Sequence, residues 1–113
     1  MEAKATVRYV HTTARKARLV ADEVRGKMVS DALTLLQFGI KKDVASDVAK
    51  LIRSAVANLQ SKNEEATVDV ESLRVKEICV DEGPTLKRFR ARAQGRFGRI
   101  LKHMCHMTVT VSK

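Results

Sequence analysis

The chain has 113 residues, 44% of them hydrophobic and only 4% aromatic, with no tryptophan and a net charge of +9. That length gives one domain, 1–113, with a modest aliphatic core, and no apolar run is long enough to cross a bilayer. Clustered positive charge on this scale points to a polyanionic partner, nucleic acid first. An anionic membrane surface is disfavoured, because no stretch joins a lysine-rich face to a bulky apolar one.

The opening "MEAKATVRYV" has no apolar signal region and carries an acid early, so it does not read as a targeting segment. In "TTARKARLVADEVR" a threonine ahead of a charged run starts a helix spanning Thr12 to Arg25. Ala14, Ala17, Val20, Ala21 and Val24 recur at helical spacing as its buried stripe; Arg15, Arg18, Asp22 and Arg25 face the other way, and Gly26 stops it. A second helix is expected in "SDALTLLQFG", with Ser30 as its cap, Asp31 set well for the dipole, Ala32, Leu35 and Leu36 packing, and Gly39 at the end. "DVASDVAKLIRSAVANLQ" is the clearest helix. Val44, Val48, Leu51, Ile52, Ala55, Val56 and Leu59 trace a wide apolar face opposite Lys50, Ser54 and Ala57.

"SKNEEA", residues 61–66, is a polar loop, after which the period changes. "TVDVESLRVKEICVDE" (67–82) and "ILKHMCHMTVTVS" (100–112) are rich in valine and threonine and read as strands. In the second, Cys105, Met107, Val109 and Val111 point one way, His106, Thr108 and Thr110 the other. Helices followed by strands make an α+β order. Cys79 and Cys105 have no paired spacing, so two free, buried thiols on neighbouring strands are expected.

Between those strands lies "GPTLKRFRARAQGRFGR". Its stretch 87–99 carries six cations in thirteen positions and no acid. Gly83-Pro84 marks a bend, while Gly95 and Gly98 permit a reversal, so a long hairpin arm (84–100) with its tip near Ala93 to Gly95 is expected. From Val80 to Ala93 an extended chain covers roughly 40 Å at about 3.3 Å per residue, more than the 26–30 Å or so of a compact body. The arm therefore projects. Arg88, Arg90 and Arg92 line one side of the outgoing strand, with Phe89, Ala91 and Ala93 on the other. Crowded like charge on a two-stranded ribbon makes sense if phosphates neutralise it, guanidinium by guanidinium, while Phe89 and Phe97 stack on bases or sugars. A basic loop that orders only on binding is the plainer alternative. Phosphate contacts position without reading sequence, so RNA bound by shape is the expectation.

Three rival readings compete with this one. His103, Cys105 and His106, with Cys79 beside them, suggest zinc, yet on a strand His106 points away from the other two, so no metal is expected. Histidine acid–base chemistry on RNA, through His11, His103 or His106 with Lys102 at the phosphorane, has no sign of a shared pocket. A DNA-bending architectural protein with a β-arm is the closer alternative, but such proteins dimerise through apolar surface, and the apolar faces here suffice for one body. Asp81 and Glu82, just before the arm, are expected to pair with Arg99 or Lys102 and fix its base.

"VDEGPTLKRFRARAQGRFGRILKHMCHMTVTVS", together with "TTARKARLVADEVRGK" and "SAVANLQSKN" in the same order, resembles the universal family 22 of large-subunit ribosomal proteins, bacterial type, over nearly the whole chain. The resemblance implies an α+β fold: three helices packed on a small three-stranded antiparallel sheet, with a long protruding basic β-hairpin. It also implies a cytoplasmic, ribosome-bound structural constituent of the large subunit that is monomeric when free and has neither catalytic residues nor cofactor. Its implied partners are large-subunit rRNA during assembly, neighbouring ribosomal proteins, and the nascent peptide at the hairpin tip, where the arm helps line the exit tunnel. The short chain suits a bacterial cytoplasm, the mature form of an organellar protein being the alternative. Carried onto this sequence, RNA contact falls to Arg15, Lys16, Arg18 and Arg25 on the first helix and to Lys87, Arg88, Arg90, Arg92, Arg96, Arg99 and Lys102 on the arm; the tunnel-side tip comprises Phe89, Ala91, Arg92, Ala93, Gln94, Gly95, Arg96 and Phe97. The chain departs from the family where Ala91-Arg92-Ala93 replaces the common Pro-Arg-Ala, where Phe97 replaces a small residue, and where "KHMCH" replaces a Lys-Arg-Thr-Ser-His run.

Overall fold

The computed structural model describes residues 2–39, 42–62, 70–91 and 93–112. The elements are β1 (Glu2–Val10), α1 (Ala14–Val24), α2 (Val29–Gln37), α3 (Lys42–Lys62), β2 (Arg74–Ala91) and β3 (Phe97–Ser112), with short 3-10 turns at Val70–Ser72 and Ala93–Gly95. The strands form one antiparallel sheet ordered β1-β3-β2, so the expected α+β class and three-helix, three-strand count hold. The element order does not: a strand comes first. Ala3 and Ala5 are buried while Glu2, Lys4 and Thr6 are exposed, the alternation of a half-buried strand written in residues too small to announce it.

The α1 stripe of Ala14, Ala17, Val20, Ala21 and Val24 is buried as expected. Thr13 caps it, its side-chain oxygen accepting from the Lys16 N–H at 3.3 Å. In α2 the expected Ser30 cap is absent, and Met28 occupies the cap position without a side-chain hydrogen bond. Sheet pairing replaces the cap. Met28 bridges Arg74, the Val29 N–H donates to the Leu73 carbonyl at 3.0 Å, and the chain leaves the sheet directly into the helix. Ala32 and Leu36 of α2 pack, but Leu35, expected to join them, is 36% exposed. Every apolar position named for α3 is buried and joins residues of α1, α2 and all three strands in one cluster.

The strand expected from Thr67 begins at Arg74. Val70–Ser72 is instead a 3-10 turn that delivers Leu73 wholly into the core, and residues 67–69 lie outside the described residues. Of the polar loop 61–66, Ser61 and Lys62 belong to α3, and the rest also lies outside the described residues. Cys105 is buried as expected, but Cys79 is exposed. It pairs with Thr108 on the sheet face away from the helices, whereas Cys105 points into the core, so the two thiols are on opposite faces.

β1 stops pairing at Val10 against Cys105, but β2 and β3 continue as a two-stranded ribbon to Ala91 against Phe97. The register shifts between Glu82 and Thr85, so Gly83-Pro84 forms a bulge, a place where a residue with no N–H costs the ladder nothing. At the far end Gln94 (φ 63°) and Gly95 (φ 72°) turn the chain back. The molecule measures 66 × 25 × 15 Å, and its radius of gyration of 17.2 Å exceeds the roughly 13 Å of a compact chain this long. The arm projects.

Candidate nucleic-acid interface

Cross-strand partners share a face, which sorts the arm's side chains. Arg88 opposite Ile100, Arg90 opposite Gly98, and Lys102 opposite Leu86 lie on one face; Lys87 opposite Leu101 and Arg99 opposite Phe89 lie on the other. Lys87, Arg88, Arg90, Arg96, Arg99 and Lys102 are all exposed, so the ribbon is cationic on both faces. The Arg88/Arg90 versus Phe89/Ala91 alternation holds; Ala93 belongs to the turn, and Arg92 lies outside the described residues. Phe89 is 72% exposed and has Leu101, 46% exposed, as its diagonal neighbour. Sequence patterning alone does not reveal Leu101, because "RILKH" reads as an ordinary strand of the body.

The expected brace at the arm's base does not form. Asp81 stands opposite His106 and Glu82 opposite Cys105, while Arg99 and Lys102 sit several pairs farther out, facing Phe89 and Leu86. The ion pairs among the described residues are Arg25–Asp22 and Lys76–Glu2. The base is organised by His106 instead. Its Nδ1 accepts the Tyr9 N–H at 3.1 Å, and its ring meets the Tyr9 ring edge-on at 5.0 Å. Thr85 Oγ1 lies 3.3 Å from His103 Nδ1 one step out.

The helix arginines divide. Arg15 and Lys16 are exposed, and their side chains have no polar partner among the described residues. Arg18 and Arg25 turn to the outer edge of β2. Arg18 donates from Nε (3.3 Å) and Nη2 (3.0 Å) to the Val80 carbonyl, and Arg25 Nη2 donates to the Ile78 carbonyl at 2.9 Å while its Nη1 pairs with Asp22. Nearer the start of β2, the Gly26 N–H donates to Val75 O at 3.0 Å and the Val75 N–H to Lys27 O at 2.8 Å. On the sheet's other edge, Asn58 of α3 donates to Lys4 O at 2.9 Å. Helix side chains and the loop after α1 thus occupy part of both body edges, a hindrance to strand addition.

Burial pushes the Cys105 thiol above its ordinary range, and a hydrogen bond to the Glu77 carboxylate, followed by partial desolvation, does the same for Cys79. Both stay protonated near neutrality. Among the described residues no three histidine, cysteine or acidic side chains converge as metal donors, and no helix is long and apolar enough to cross a membrane.

Comparison with known proteins places this α+β body and its cationic ribbon in a family. The profile of the family described as Ribosomal protein L22p/L17e matches residues 5–112. The chain belongs to this ribosomal-protein family. It is 50% identical over all 113 residues to a protein of Desulfatibacillum aliphaticivorans named "Large ribosomal subunit protein uL22", covering 100% of each chain. Proteins of the same name from Leptospira biflexa serovar Patoc (strain Patoc 1 / Ames) and Syntrophotalea carbinolica are likewise 50% identical over the whole of this chain, which spans 95% and 99% of theirs.

Proposed function

We infer that this member of the L22p/L17e family, a structural constituent of the large ribosomal subunit, binds large-subunit rRNA during assembly and sends its arm toward the nascent-peptide exit tunnel. One observation carries the reading: a ribbon without acid, exposed on both faces and reaching far beyond the body, has no ion-pair partner for its cations among the described residues. Phosphate oxygens on both sides of the ribbon supply what is lacking. Lys87, Arg88, Arg90, Arg92, Arg96, Arg99 and Lys102 are the phosphate contacts of the arm, and Arg15 and Lys16 those of the body. Arg18 and Arg25 contribute the N–H groups that the β2 carbonyls leave over.

Residues 89–97 form the tunnel-side end, where Gln94 and Gly95 turn the chain and the nascent peptide passes. The role is one of scaffold, without catalysis, and the free chain is a monomer that sits beside neighbouring ribosomal proteins once assembled. The test is sedimentation of the tagged chain with large subunits after a high-salt wash, paired with RNA binding against double-stranded DNA competitor. Retention on the subunit and preference for structured rRNA are expected; loss in the wash, or equal preference for DNA, would sink the reading.

A further inference from the structure

The arm is cationic throughout, but the exposed side of α1 is mixed: Leu19 and Glu23 lie there beside Arg15 and Lys16 and open toward α2. α1 and α2 both end around an open groove of about 1320 Å³. Leu19 (53% exposed), Leu35 (36%) and Phe38 (77%) line it, three of the six large apolar side chains exposed among the described residues, so the exposure is a patch and not a scatter. Glu23 and Asp31 line the same groove, and neither has an ion-pair partner among the described residues. The last turns of α1 and α2 contain no basic residue, so the negative ends of two helix dipoles face the groove, that of α1 next to its cap residue Arg25. Lys27 is the one described cation in the lining.

An apolar floor with carboxylates and helix C-termini around it repels phosphate, so this surface is unsuited to rRNA. It suits a segment with the reverse charge. We propose that the groove between α1 and α2 docks a lysine- or arginine-rich segment of a neighbouring ribosomal protein, which inserts a large apolar side chain against Leu19, Leu35 and Phe38 and sets its cations on Glu23 and Asp31. This rests on the assembly reading above and assigns the groove to protein, and the arm together with Arg15 and Lys16 to RNA. Burial of an exposed phenylalanine in a desolvated pocket is the usual form of an interface anchor.

The test places the photo-reactive residue p-benzoylphenylalanine at position 38 of the full chain and, in a separate protein, at position 90 on the arm. Each is assembled into large subunits and irradiated, and its adducts are identified by mass spectrometry. The expected result is a cross-link from position 38 to a basic protein segment and from position 90 to rRNA. In addition, Phe38→Ser should leave the free chain's RNA affinity unchanged while weakening retention of the cross-linked protein on salt-washed subunits, by about 30-fold in affinity for a full anchor. Phe38 is too exposed for that change to disturb folding. Cross-linking from position 38 to rRNA, to a second copy of this chain, or to nothing, in subunits where position 90 still reaches rRNA, overturns the docking proposal alone. Failure of both proteins to enter subunits overturns the assembly reading with it.

Discussion

Replacing Arg18 with alanine separates a structural arginine from a ligand-binding one. Its two N–H groups converge on one partly buried carbonyl, Val80 O, at 3.3 and 3.0 Å. A hydrogen bond from a charged donor is worth about 1.5–3 kcal/mol, and water reaching the exposed rim replaces roughly half of that once the side chain is gone. The aliphatic stem, which no longer covers the sheet edge, adds a few tenths of a kcal/mol. The expected cost is about 1–1.5 kcal/mol, or a melting point lower by about 4–6 °C for a chain of this length. Arg18→Lys should recover less than half, because a single ammonium cannot present two converging donors. The assay is urea and thermal unfolding of the RNA-free chain, with Arg90→Ala, which touches nothing in the body, as the reference. If Arg18→Ala melts with Arg90→Ala and the wild type, the guanidinium does not hold the β2 edge and the reasoning is refuted.

Further outcomes are expected. Arg88→Ala/Arg90→Ala should leave the melting point within about 1 °C and lower the slope of log affinity against log salt by about 0.7–0.9 for each phosphate no longer neutralised; an unchanged slope would mean that these side chains bind no phosphate. In the native chain Cys79 alone should react with iodoacetamide, and both thiols after unfolding; Glu77→Gln should speed the Cys79 reaction at pH 8, since it removes the main cause of the raised pKa. Equal native labelling of both cysteines would contradict the sheet register. A Cβ added at Gly83 would lie 3.2 Å from the His106 ring and 3.3 Å from the Met104 backbone, so Gly83→Ala should displace His106 and cost about 1 kcal/mol, read as faster hydrogen exchange of the Tyr9 amide. Unaltered exchange at Tyr9 would show that His106 does not hold the arm's base.

What is legible in the sequence is what periodicity controls. The apolar faces of α1 and α3 and the inward Cys105, Met107, Val109 and Val111 follow from spacing, because burial is decided by which face a residue occupies. β1 escapes such a reading because Ala3 and Ala5 are helix formers by propensity and strand residues by context; α3 lying over them selects the strand. The missing Ser30 cap and the late start of β2 share one cause. The Lys27–Val29 and Leu73–Val75 backbones pair with each other, a tertiary event that local composition does not encode. For Arg18 and Arg25, spacing finds the correct helix face but not the first partner, since an arginine side chain is long enough to choose between solvent and a nearby strand edge. The arm's charge is plain from composition, but the absence of an acid–base brace at its foot depends on register, and the Gly83-Pro84 bulge resets that register.

The body's sheet has helix groups on both borders, whereas past Cys105 the described residues of the ribbon have no third strand or helix beside either border, leaving their outward amides and carbonyls open. Two surplus copies meeting flank to flank would find complementary ladders and could zip into a continuous fibre-like stack. Their arginines forbid it, since every zipped pair would crowd a dozen or so like charges into one stack. On the proposed reading, the same charges that grip phosphate in the particle also keep unassembled chains dispersed until one is ready to receive them.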